Sequence, residues 1–454
     1  MKKILSALIS AISMLMLTAV CFTCFAVSAP KTVSAVKYTS TASSVTLSWN
    51  NVKSTGYRVY KYNASAKKWV SVVTTTKTTA TVKNLKAGSK TIFAVKPYNK
   101  QNDKIAWAKA YTKVTAYTRP ANATGLKTTS KTDSVTITWN KAAGATGYRI
   151  YLYNTSSKSW DILLKASSKT SVRVEGLKAG TSYIFAVKPY YNSGNGILWA
   201  SKHTQIKTSS LPAKVSGVKI SLDQSGNGTI TWSKVNGAQR YYVYSYNENS
   251  GKYSLVGKTT KTSFAVSNLL PARRYYYAVR AARFIDSTTY SGALSSKVKT
   301  PLTAYRNFIN SSSYANFYPI DINEDGIYEL IASKKNTFSA DVYTYNNNKV
   351  TFVGTFNCSD NKIYHNSDMN AVGGRTYGVG VFITDELYTI IGTGLKRIAH
   401  CSLASKYDST TYTIDEYTNK VSKSAYDTYF KAYFKSVKTY TMYPVTSSNI
   451  SKYL

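Results

Sequence analysis

The chain has 454 residues, 59 of them Lys or Arg against 20 Asp or Glu, for a formal net charge of +39. That length suffices for about three or four ordinary domains, each with its own core, and excludes a single one. Lysine outnumbers arginine 47 to 12, a ratio that suits diffuse attraction to polyanions better than bidentate reading of bases or phosphates.

The chain opens with "MKKILSALISAISMLMLTAVCFTCFAVSAPK": Lys2 and Lys3, an uncharged apolar run over 4–25, then small residues. This is the order of a secretory signal cut after Ala26 or Ala29, so residues 1–29 are expected to leave the mature chain. The run is also close to the roughly 20 residues that span a bilayer, which makes an uncleaved anchor the competing reading. No later stretch has that character, and no membrane contact is expected after cleavage. Cys21 and Cys24 lie in the signal, leaving Cys358 and Cys401. In an exported protein a Cys358–Cys401 disulfide is the default expectation.

Pro30, Pro120, Pro212 and Pro301 punctuate the chain at intervals of 90, 92 and 89 residues. Between them "VTLSWNNVKSTGYRVYKYN", "VTITWNKAAGATGYRIYLYN" and "GTITWSKVNGAQRYYVYSYN" align nearly residue for residue, the signature of internal repetition. Within each repeat, β-branched and aromatic residues alternate with Lys, Ser and Thr between turn residues. Seven or so half-buried antiparallel strands in about 90 residues make a β-sandwich.

Each repeat resembles a bacterial fibronectin type III domain. The marks are Trp49, Trp139 and Trp232, the following Tyr57, Tyr148 and Tyr241, and a leucine-then-aromatic segment. The family pattern places a tyrosine six residues after that leucine; Tyr183 and Tyr275 follow Leu177 and Leu269, but Thr91 follows Leu85. The resemblance therefore implies domains at 30–120, 121–212 and 213–301, with a lost or rebuilt tyrosine corner in the first. Trp69, Trp160 and Tyr253 recur at one place, and Trp107, Trp199 and Tyr290 at another. Their recurrence favours core or edge cover over exposed carbohydrate platforms. The run "PARRYYYAVRAARF" falls on a strand of an exported chain, so no nucleic-acid partner is expected.

Residues 302–454 differ in character: tryptophan stops and acidic residues collect. This segment holds 15 basic and 13 acidic residues, leaving 44 basic and 7 acidic upstream, so net charges of +2 and +37 divide at that point. "LTAYRNFIN" reads as a helix, and "NFYPI", "IYELIA" and "DVYTYNNNKVTFVGTF" as strands, the last a hairpin turning at 346–348. "YGVGVFITDELYTIIGTG" reads as two strands about a turn at Asp385 and Glu386. Tyr426, Tyr429, Phe430, Tyr433, Phe434 and Val437 have helical spacing, with Ser422 or Ser424 available as cap. The expected whole is mainly β, three sandwiches followed by an α+β domain.

"DINEDGIYELI", 321–331, places oxygen-bearing side chains at alternate positions before a glycine, a spacing that lets them converge on a hard cation. Position twelve of the loop is Ala332, which excludes an EF-hand. A dockerin is disfavoured because the loop occurs once. The stretch resembles the D-x-N-x-D-G-x-x-E-L-I loop of FG-GAP or VCBS-like repeats and of domains attached to exported proteins of gut Firmicutes. That resemblance implies Ca²⁺ held by Asp321, Asn323, Asp325 and Glu329 with the carbonyl of Ile327; the competing reading is a metal-free Asx turn.

Catalytic candidates are His365 with Asp368, the pair Asp385 and Glu386, and Cys358 or Cys401 with His400. Neighbours on a strand face opposite ways, and no GxSxG, HExxH or P-loop occurs. The expectation is an exported, monomeric, non-enzymatic protein at the cell surface or in the matrix, with an anionic cell-wall polymer or extracellular polysaccharide as partner. The alternatives are a polysaccharide hydrolase and a carbohydrate-binding accessory protein.

Overall fold

Alternating apolar and polar residues give each repeat two antiparallel sheets with one buried face apiece. The computed structural model describes residues 27–378, 381–406, 409–414 and 420–454; the expected signal lies outside them as far as residue 26, with Cys21 and Cys24. Among the described residues two compact units result, 27–177 with Ser182–Ser209, and Lys178–Thr181 with Ser210–Leu454. The first contains two sandwiches, the second the third sandwich and the C-terminal domain.

In the first sandwich Val36–Ser40, Val45–Trp49 and Thr79–Val82 form one sheet. Lys68–Thr75, Gly56–Asn63, Lys90–Gln101, Lys104–Trp107 and Thr112–Tyr117 form the other. Leu47, Val59, Phe93 and Val95 are buried between them. The rings of Trp49 and Tyr57 meet there at 5.3 Å, as do Trp139 and Tyr148 at 5.2 Å and Trp232 and Tyr241 at 5.3 Å in the next two repeats. Each tyrosine hydroxyl accepts a backbone N–H, from Val52, Ala142 and Val235 respectively. The recurring Trp and Tyr therefore fix the approach of the sheets as well as filling the core.

A second device repeats with the first. Thr118, Ser210 and Thr300, all buried, use one hydroxyl to accept the N–H of Ser89, Thr181 and Tyr275 and to donate to the carbonyl of Lys86, Lys178 and Arg273. The latch ties the end of the last strand to the turn before its neighbour. The tyrosine corner forms in the third repeat, where Leu270 N–H donates to the Tyr275 hydroxyl at 3.2 Å. In the first, where Thr91 replaces that tyrosine, the Thr118 latch remains.

The C-terminal domain stacks two antiparallel sheets with helices on both outer faces. Its five-stranded sheet runs in the order Lys349–Asn357, Ser339–Asn346, Glu329–Ser333, Asn316–Ile320, Tyr443–Pro444. The seven-stranded sheet runs Lys420–Val421, Ser409–Ile414, Gly394–Lys406, Val381–Ile391, Ala371–Gly378, Lys362–Asn366, Lys438–Thr441. Ile320, Ile331, Val342, Phe356, Ile363 and Val372 pack between the sheets. Helices Thr303–Asn310 and Ser447–Tyr453 cover the outside of the smaller sheet through Tyr305, Ile309 and Ile450. Helix Lys423–Phe434 covers the larger one through Tyr426 and Phe434, and Ser422 caps it by accepting from Ala425 N–H. The hairpin turns where expected, with Asn347 and Asn348 in the left-handed region that asparagine tolerates.

One expected turn is absent. Asp385 and Glu386 lie inside the strand Val381–Ile391, paired with Arg375 and Gly374 on one side and Cys401 and His400 on the other. Their charges are met by side chains of those neighbouring strands, so two acidic residues sit where local propensity favours a turn.

Thr300→Val keeps the shape of the latch but strands the Tyr275 N–H and the Arg273 carbonyl. The expected loss is about 1–3 kcal/mol, read as a lower urea midpoint at unchanged slope, with Thr300→Ser close to wild type. An unmoved midpoint for Thr300→Val contradicts the latch.

Candidate functional site

The acidic loop joins Asn316–Ile320 to Glu329–Ser333. Asp321 Oδ2 accepts the N–H of Gly326 at 2.9 Å, Asp325 Oδ1 that of Ile327 at 2.7 Å, and Asn323 Nδ2 donates to Asp325 Oδ2 at 3.0 Å. Gly326 has φ +83°, and a Cβ there would come within 3.0 Å of the Arg273 guanidinium. The positive φ is what calls for glycine, and the arginine leaves little room beside it.

Glu329 heads the central strand and is 1 % exposed. Its Oε2 accepts the Ile322 N–H at 2.9 Å and its Oε1 the Thr344 hydroxyl at 3.0 Å. Burial pushes its carboxyl up to about 8, against the pull of those two donors. Burial also raises Asp321, whose Oδ1 is buried without a hydrogen-bond partner. An all-oxygen donor set with one orphaned carboxylate oxygen suits a hard cation. The remaining polar atoms are held by the loop's own amides, and among the described residues no three His, Cys, Asp or Glu side chains are gathered to hold a metal by themselves.

The third sandwich fastens this loop from outside. Arg273 forms a β-bridge with Ile327, and Tyr328 N–H donates to Ala272 carbonyl at 2.9 Å. Arg274 donates to the carbonyls of Thr300 and Tyr453 and lies over the Tyr328 ring at 5.6 Å. Burial lowers its pKa. Between sandwich and loop opens a cleft of about 660 Å³, lined among others by Glu248, Arg273, Tyr276, Asp321, Asp325 and Tyr328. The sequence placed the acidic residues but not the Arg273 and Arg274 segment that packs on the loop, which lies about fifty positions upstream and meets it only through tertiary packing.

The remaining candidates are not brought together as neighbours in sequence. Cys358 and Cys401 are free and buried, so the expected disulfide is not formed. Cys358 belongs to the core between the sheets, whereas Cys401 faces helix Lys423–Phe434 from the opposite side of the larger sheet. Burial raises both thiols, each to about 12, away from nucleophilic chemistry. Asp368 sits in the 3-10 turn Ser367–Met369. His365 is held low by burial, against a backbone hydrogen bond with Ile322 that ties it to the acidic loop.

The pairs that do form run across strands. Asp385, fully buried, takes both prongs of the Arg375 guanidinium at 2.7 and 2.9 Å and the Tyr364 hydroxyl at 3.1 Å. On the other face Glu386 meets His400 Nδ1 at 3.1 Å and Arg397 at 3.4 Å. Register, not spacing, makes these pairs.

Residues 119–206 match the fibronectin type III domain family. That segment is a fibronectin type III domain. The repeats before and after it share its plan, so three fibronectin type III sandwiches precede the α+β domain. Chitinase A1 of Niallia circulans is 33 % identical over 184 residues, 37 % of this chain and 24 % of the chitinase. A Kelch domain-containing protein of Sulfurisphaera tokodaii is 28 % identical over 222 residues, 46 % of this chain and 29 % of that protein. Exoglucanase B of Cellulomonas fimi is 26 % identical over 286 residues, 58 % of this chain and 25 % of the enzyme. The chain thus spans less than a third of each of these relatives. A two-domain fibronectin type III segment of chicken tenascin aligns over 40 % of this chain and all of its own length at 15 % identity, with a TM-score of 0.28. No helix among the described residues is long and apolar enough to cross a membrane.

The raised carboxyl of Glu329 makes a pH prediction. A group whose folded pKa lies near 8 against an ordinary 4.5 stabilises the fold fully below the lower value and loses that contribution as pH rises toward the higher. In cation-free buffer the C-terminal domain is expected to weaken between about pH 5 and 8, by roughly 1.4 kcal/mol per unit at most. Glu329→Gln should flatten the slope; parallel pH profiles for variant and wild type contradict the assignment.

Proposed function

We propose that this is an exported, non-enzymatic binding protein. Its basic fibronectin type III array attaches to an anionic cell-wall polymer or extracellular polysaccharide and presents a calcium-stabilised C-terminal domain. The observation that carries the reading is the partition of charge, +37 over the first 301 residues, of which only Lys2 and Lys3 leave with the expected signal, and +2 over the remainder. A polycation concentrated in the repeats attracts polyanions along its length while the last domain carries almost no net charge. The similarity to regions of a chitinase and an exoglucanase supports polysaccharide as the partner class. Asp385 and Glu386, the acidic pair available to hydrolytic chemistry, are committed to Arg375 and to His400 and Arg397.

Asp321, Asn323, Asp325 and Glu329 with the Ile327 carbonyl are the residues that would hold Ca²⁺. When bound, the ion supplies positive charge to carboxylates that burial and mutual repulsion otherwise disfavour. The role is structural: it stiffens the loop on which the third sandwich rests.

Electrostatic attachment is screened by salt. The full chain should be retained on teichoic-acid-bearing cell walls at about 0.01 M NaCl, where the Debye length is about 30 Å, and released at about 1 M, where it is about 3 Å. Retention unchanged at the higher salt contradicts the reading.

A further inference from the structure

The outer face of the larger sheet in each sandwich carries an aromatic clamp. In the strand Gly56–Asn63, alternation sends Tyr57 and Val59 into the core and leaves Tyr62 outside. Trp69 stands directly opposite Tyr62 on the neighbouring strand and shares its face, with ring centroids 5.3 Å apart. Tyr153 and Trp160 repeat the pair at 5.2 Å, and Tyr246 and Tyr253 at 4.8 Å, each again in direct register. These rings lie on the edge strand and its neighbour, outside the core, which is the edge half of the expectation; Tyr253 is 40 % exposed. Packing alone does not require an aromatic pair outside the core in all three repeats.

A third side chain, from the region of the last strand, completes each clamp. Tyr111 meets Trp69 at 5.5 Å, with the Lys113 ammonium 5.5 Å from the Tyr111 ring. His203 meets Trp160 at 5.1 Å. Lys297 places its ammonium 3.6 Å from the centre of the Tyr246 ring. Rings with an ammonium beside them in the first and third repeats, on a surface of strong positive charge, match a polymer that offers both flat C–H faces and carboxylates. A ring-free polyanion would leave the clamps without purpose, and a neutral glycan would leave the cations without one.

We infer that the three clamps, Tyr62 with Trp69, Tyr153 with Trp160 and Tyr246 with Tyr253, are binding subsites for an acidic polysaccharide, with stacking on its sugar rings and ammonium groups on its carboxylates. The inference rests on the polyanion reading above and gives it a place and a polymer class. Three weak subsites on one chain act together whenever a single polymer reaches more than one of them.

The test compares binding of the full chain to polygalacturonate, which has sugar rings and carboxylates, and to polyglutamate, which has carboxylates alone, at equal charge concentration and low salt. Wild type should prefer polygalacturonate by about tenfold or more, equivalent to about 1.4 kcal/mol. The triple variant Trp69→Ala, Trp160→Ala, Tyr253→Ala should fall to parity while its polyglutamate binding is unchanged. Trp69→Phe, Trp160→Phe, Tyr253→Phe should retain the preference, which separates loss of the ring from loss of fold. Equal wild-type affinity for the two polymers, or an alanine variant that keeps the preference, overturns the clamps but spares the polyanion reading. Failure of wild type to bind either polymer overturns both.

Discussion

Glu329 is taken out of water at the head of a central strand, and the acidic loop, the inter-sheet core and the seam with the third sandwich converge on its position. Its two oxygens accept from Ile322 N–H and the Thr344 hydroxyl, so the carboxyl staples the start of the loop to the strand beyond its own. Two residues before it, Ile327 begins the contact with the sandwich. A buried carboxyl held only by neutral donors favours its proton at neutral pH, and any cation that keeps it ionised reverses that preference. The raised carboxyl thereby ties the order of the loop to pH, and the third sandwich is fastened to that loop.

The sandwiches solve a different problem. Each closes its core with the same Trp and Tyr pair and the same buried hydroxyl latch, so their stability needs little from the surface. That leaves the outer faces free to carry lysine and aromatic rings. Lysine on exposed strands also discourages edge pairing between copies, which serves solubility and polyanion attraction with one composition.

Much of this was legible in the sequence because it is local or repeated. The proline intervals and the period-two pattern give the three sandwiches, and the Asn347–Asn348 turn and the Ser422 cap follow from the chemistry of single residues. The features that were not legible depend on register between distant strands. Asp385 and Glu386 read as a turn because their partners Arg375 and His400 are ten and fourteen positions away. Cys358 and Cys401 read as a disulfide because sequence spacing does not show that they lie on opposite faces of one sheet. Trp69 reads equally as core or as edge cover until its position opposite Tyr62 on an edge strand places both rings outside the core.

The central claim, that the acidic loop takes up calcium and is ordered by it, is tested most directly by deuterium uptake over 321–333 in the full chain. The comparison is between EDTA, Ca²⁺ and Mg²⁺, for wild type and for Asp321→Ala with Asp325→Ala. The account predicts that Ca²⁺ slows uptake in the wild-type loop, that Mg²⁺ does so far less because a flexible all-oxygen loop suits the larger ion, and that the double variant does not respond. Uptake that is the same in EDTA and Ca²⁺, or that slows equally in the double variant, would contradict it.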